Sequence, residues 1–205
     1  MKLRFEHAER VLLLVTSYVV LAFTSTVAVA DNMCVSAVSS RDRAIEYYEL
    51  GDLTSAIERL REAIKLCPAE PFYKFMLANA LYRTGNLNES GNAYRDFVEV
   101  RPHHFEAHMS LGFTLFEMGE VADAVQQWTT AVQIEPNSPF AHAALAAGLY
   151  ALQDLKNAHF HYDCAVTLDS RYSDANDLAI DIRWKQQVRA LLSDASHLTQ
   201  PIGDR

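Results

Sequence analysis

PFYKFMLANALYRTGNLNESGNAYRDFVEVRPHH, residues 71–104, is followed by FEAHMSLGFTLFEMGEVADAVQQWTTAVQIEPNS, residues 105–138, and the two stretches align without a gap. Gly85 and Gly119 fall in one column and Pro102 and Pro136 in another, 34 residues apart, and Gly51 and Pro68 continue both columns upstream. Three further columns hold one kind of residue each: Ala44, Ala78, Gly112 and Ala146; Ala56, Ser90, Ala124 and Ala158; Leu60, Tyr94, Trp128 and Tyr162. A fixed period of this length marks an array of stacked supersecondary units. Gly at mid-unit ends one helix through a left-handed backbone, and Pro near the unit's end stops a second. The small column lets two helices approach, and the bulky column plugs the space beside them. Each unit is therefore a helix, a tight turn and a helix, and the fold class is all-α.

Composition agrees with a packed body. The chain has 205 residues, half of them apolar, with only 7 Gly, 6 Pro and 3 Cys, which excludes disorder, collagen and a disulfide-stapled miniature. Its net charge is −8, and without residues 1–30, whose Lys2, Arg4 and Arg10 outnumber Glu6 and Glu9, the remainder stands at −9. Such an acidic body is a poor partner for nucleic-acid backbones.

These spacings and residues resemble the tetratricopeptide repeat, whose small, aromatic and Pro positions recur every 34 residues. The resemblance implies a right-handed α-solenoid of four repeats, 37–70, 71–104, 105–138 and 139–172, after a linker over 31–36. Unit one departs at Arg43, where a large apolar residue is usual, as suits a terminal repeat. Unit four departs at Gln153 in place of the turn Gly and at Ser170 in place of Pro, so a looser turn and a second helix that runs on are expected there. Past it, Ile180, Trp184, Val188 and Leu191 lie on one helical face, predicting a capping helix over 173–195 before a flexible tail at 196–205.

The first helix of each unit carries a second apolar row beside the packing row. It contains Phe72, Phe75, Asn79 and Tyr82 in unit two, Glu106, Met109, Phe113 and Phe116 in unit three, and Phe140, Ala143, Ala147 and Tyr150 in unit four. In the family this face lines a concave groove, so the resemblance implies partner binding at Phe72, Phe75, Asn79, Tyr82, Met109, Phe113, Phe116, Phe140 and Tyr150. Aromatic and Met side chains there suit a protein or peptide with apolar anchors. Tyr48, Tyr82, Phe116 and Tyr150 share a position the family also uses for packing alone, and two other occupants stay open: the C-terminal helix itself or a second copy of the chain. The carboxylate clamp that some of these repeats use for chaperone tails needs several cations, whereas Arg41, Ile45, Met76, Glu106 and Ser110 supply one.

No Gly-rich phosphate loop, zinc-helix motif, Cys-x-x-Cys pair or nucleophile elbow is present, which points to a non-enzymatic protein without cofactor or metal. His103, His104, His108 and His142 read as solvated or partner-facing. Cys34 and Cys67 fall at the same level of the first hairpin, so a disulfide between them and three reduced thiols are both open readings, while Cys164 lies too far along the array to bridge Cys67 and is expected as a free, half-buried thiol.

Residues 1–10 are polar and net basic, 11–23 are mostly apolar, and Ala28-Val29-Ala30 precedes Asp31. That layout is read by signal peptidase, so residues 1–30 form a secretory signal peptide, or an uncleaved anchor if residues 11–30 persist as a spanning helix. Both readings put the body outside the cytoplasm: a periplasmic protein, or one anchored in the inner membrane and facing the periplasm. The resemblance then implies a scaffold or adaptor in assembly of an envelope complex such as a pilus or secretion system. Alternatives are a membrane-tethered chaperone-like subunit of cytochrome c maturation or a cell-wall hydrolase.

Overall fold

The structure is a computed structural model in which residues 33–173 are described. Helix α1 covers residues 33–50. It is followed by α2 (Leu53–Leu66), α3 (Pro71–Arg83), α4 (Leu87–Val100), α5 (Phe105–Glu117), α6 (Val121–Ile134), α7 (Pro139–Ala151), α8 (Leu155–Leu168) and a short 3-10 turn, η1 (Ser170–Ser173). Among the described residues there is no strand, and the architecture is that of an all-α solenoid. The expected signal segment, and the capping helix and tail beyond Ser173, lie outside the described residues.

Glycine sets the turns inside each helical pair. Gly51, Gly85 and Gly119 have φ of 82°, 79° and 82°, the left-handed region where a side chain is strained. Gly85 N–H donates to Tyr82 O at 3.0 Å and Asn86 N–H to Leu81 O at 2.9 Å, closing the helix end with the paired bonds of a Schellman motif. The fourth turn is not looser, contrary to the sequence expectation. Gln153 adopts φ 62°, and Gln153 N–H to Tyr150 O at 2.9 Å and Asp154 N–H to Leu149 O at 3.0 Å repeat the same pair of bonds. Packing of the two flanking helices holds a residue other than glycine in that conformation. Helix α8 does not run on either: it ends at Leu168, and Asp169 follows with extended backbone. The next helices begin on side-chain caps, Ser138 accepting from Ala141 N–H and Asp154 from Asn157 N–H.

The chain divides into two compact units after Tyr73. In the first, Ala37, Ala63, Cys67 and Tyr73 are buried together, with Cys34, Ile64 and Leu66 packed against them. A disulfide joins Cys34 to Cys67 across a Cα–Cα distance of 4.7 Å. Residues 33–36, expected as linker, are already helical, because the segment that carries Cys34 is tied to the end of α2.

In the second unit the core runs from Ala78 and Tyr94 through Trp128 to Tyr162 and Ala165. Trp128 has no exposed surface, and its Nε1 donates to Met109 O at 3.3 Å. Two glycines make room for its ring. A Cβ on Gly112 would lie 2.3 Å from Trp128 Nε1, and one on Gly148 would lie 2.6 Å from Val125 and 2.9 Å from Trp128 Cζ3. Helix α7 carries no charged residue, and residues 141–148 are all buried, so it is a core helix rather than one with a wet face. Cys164 is a free thiol of intermediate burial; burial, followed by the nearby Asp163 charge, raises its pKa.

Candidate binding face

The second apolar row is built from the helices that open each pair, and most of its members touch the core they were expected to stand away from. In the first unit Phe72, on the opening turn of α3, is 40% exposed, and its N–H donates to Glu70 Oε1 at 3.1 Å.

The remaining row residues belong to the second unit. Phe75 is half-buried with ring centroids of Phe97 and His104 each 5.1 Å away and that of Tyr94 at 5.9 Å. Asn79 Oδ1 accepts from Tyr94 Oη at 2.7 Å, which fixes its amide and turns the two N–H groups into its remaining donors. Tyr82 Oη donates to Glu117, joining α3 to α5. The Phe113 ring lies tilted against Trp128 and Phe140, with centroids 5.2 Å and 5.6 Å away, and that of Phe116 is 5.6 Å from Trp128. Phe113, Phe116, Phe140 and Tyr150 are half-buried, each keeping part of its surface open.

Two sequence expectations fail here. Met109 is 3% exposed and lies in the core cluster, so it offers a partner no surface. Ala143 and Ala147 are fully buried too, which closes the row through the middle of α7. Helical spacing puts these residues on one face, but the cover over that face comes from elements distant in sequence. What the row leaves open in the second unit is an aromatic ridge, Phe113, Phe116 and Phe140 with Tyr150 farther along α7, in which Phe113 and Phe116 lean on the buried Trp128, besides the half-buried Phe75, Asn79 and Tyr82. Such a ridge can desolvate apolar side chains, and Asn79 can donate to a backbone carbonyl.

The histidines are a correction of a different kind. His108 and His142, expected as solvated or partner-facing, are 7% and 6% exposed. His108 Nε2 lies 3.0 Å from Pro102 O and its Nδ1 2.9 Å from Gln127 Oε1. His142 repeats the device, with Nε2 2.9 Å from Pro136 O and Nδ1 2.9 Å from His161 Nδ1. His104 caps α5, its Nδ1 accepting from Ala107 N–H at 3.2 Å, while His103 is exposed. The signal was present in the sequence, since Gln127 and His161 are 34 residues apart just as His108 and His142 are. Among the described residues no three His, Cys, Asp or Glu side chains gather to hold a metal ion, and no described helix is long and apolar enough to cross a membrane.

Comparison with known proteins places these observations. The family model described as TPR repeat matches residues 46–85, and that described as tetratricopeptide repeat matches residues 75–142. A crystal structure of MamA protein is similar over 78% of this chain and 86% of its own, with 16% identity and a TM-score of 0.66. That of YrrB, described as a TPR protein with an unusual peptide-binding site, is similar over 86% of this chain and 93% of its own, with 15% identity and a TM-score of 0.64. The first TPR of Spaghetti (RPAP3), bound to an HSP90 peptide, is similar over 57% of this chain and 93% of its own, with 19% identity and a TM-score of 0.55. No curated protein sequence matches the chain.

Proposed function

Because this chain belongs to the tetratricopeptide-repeat family, we propose that it is a non-enzymatic scaffold that captures an apolar-anchored segment of a protein partner and helps an exported cell-envelope complex, such as a pilus or secretion system, to assemble. Repeats of this family are protein-interaction modules rather than catalysts, and the YrrB and RPAP3 structures, described with a peptide-binding site and a bound peptide, support a peptide as the captured element. The observation that carries the reading is the half-buried aromatic ridge leaning on the fully buried Trp128. Its residues are held before a partner arrives, so little ordering entropy opposes binding. The export reading rests on the layout of residues 1–30 and is supported by the Cys34–Cys67 disulfide, a bond that persists in oxidising compartments.

The test is affinity capture from envelope extract with the native chain, alongside N-terminal sequencing to decide between a cleaved signal and a retained anchor. Capture of one partner that is lost when Tyr150 becomes Glu, with helical content unchanged, supports the ridge as the site. Equal capture by Y150E and Phe140→Ser moves the site elsewhere.

A further inference from the structure

The buried His142 and the half-buried His161 meet in a geometry that admits one proton and rejects a second. Pro136 O can only accept, so His142 Nε2, 2.9 Å away, carries a hydrogen. In the neutral pair Nδ1 of His142 is then the acceptor, and His161 Nδ1–H donates to it across 2.9 Å. The ring centroids are 5.1 Å apart, close to the full length of two rings joined end to end through that bond. A metal ion bridging both nitrogens at about 2.0–2.1 Å would need the two lone pairs to converge to one side, which this end-to-end arrangement does not offer. One added proton leaves the bond intact, because the second ring still supplies a lone pair. A further proton places hydrogens on both Nδ1 atoms, facing each other.

We infer that the His142–His161 bond is a proton-released latch, which clamps the turn before α7 against α8 and lets the last helical pair open in acid. The chain contains its own control. In the preceding unit His108 makes the same contact to Pro102 O, but its partner is Gln127, whose amide can turn either an oxygen or an NH2 to the ring and so tolerates both protonation states. The pair at His142 has that freedom for one proton and none for a second.

Other ionisable groups do not relieve it. Helix α7 carries only Tyr150 besides His142, and α6 carries Asp123 in its first turn and is followed by Glu135. On α8 stand Lys156, His159, Tyr162, Asp163 and Cys164, of which Asp163 and Cys164 border the same 340 Å³ cavity as His142, and the Phe160 and His161 ring centroids are 5.1 Å apart with the rings near perpendicular. Past α8, Asp169 is occupied by Arg171. Burial first, and then the charge of a protonated His142, push His161 down to about 4. In the unfolded chain the same group takes its proton near 6.5. The unfolded chain therefore binds more protons between these values, so the stabilisation is complete above about pH 6.5 and is lost as pH falls towards 4.

The test is amide exchange of the full-length protein at about pH 7.5 and about pH 4.5, with α5 and α6 as internal reference. Relative to that reference, α7 and α8 of the wild type should lose protection tenfold or more in acid. His161→Gln, which copies Gln127, should retain it. Equal acid loss in wild type and H161Q overturns the latch, as does wild-type protection that does not change. An imidazole NMR titration of the wild type decides the question if H161Q fails to fold: a His161 that protonates near 6.5 overturns the proposal, and one that protonates near 4 while the α7 and α8 amides lose protection over the same pH range upholds it.

Discussion

Gly112 and Trp128 occupy columns that hold Ala78 with Tyr94 in the unit before and Ala146 with Tyr162 in the unit after. The larger ring faces the smaller residue, so volume is conserved across the pair rather than at each position. Gly112→Ala should cost about 1–3 kcal/mol, seen as a lower urea midpoint, because its Cβ would fall 2.3 Å from the indole nitrogen. Trp128→Tyr added to it should recover part of the loss, and a double variant that merely sums the two penalties would refute the pairing. Gln153 offers the opposite case. Its left-handed backbone is strained, so Gln153→Gly should raise stability by about 1 kcal/mol in the same assay. Phe113 is a poorer probe of binding than its row suggests, because Glu in its place would strip packing from Trp128 and Phe140 as well as from any partner.

At the scale of elements, α1 depends on a covalent tie. The Cys34–Cys67 bridge joins its start to the end of α2 across a sequence separation of 33. Cys34→Ser should destabilise the first unit by about 2–4 kcal/mol, with α1 amides exchanging sooner, and reductant should mimic the substitution. Unchanged exchange would mean that the small apolar cluster around Ala37 and Ala63 is sufficient alone. Helix α7 shows how an element can escape a sequence reading. PFAHAALAAGLYA gives two apolar rows, one of which is expected in a groove, yet residues 141–148 are uniformly buried. Only Phe140 and Tyr150, near its two ends, keep open surface on that row.

For the whole molecule, function rests on what the array leaves accessible. Phe72→Glu, at a position 40% exposed, should weaken partner capture tenfold or more, about 1.4 kcal/mol, while shifting the melting temperature by only a few degrees. Full capture by that variant would mean that Phe72 makes no contact with the partner. The period, the positions of the turns and the pairing of helices were legible in the sequence because each is a local instruction: a glycine at positive φ or a proline at a helix end acts within about five residues and is repeated in successive units. The lining of the binding face was legible only as a list of residues sharing a side. Tertiary structure alone decided that Met109, Ala143 and Ala147 are covered and that Phe113 and Phe140 lean on one another. Accessibility is a sum over neighbours that arrive from helices many residues away, and no local rule contains that sum.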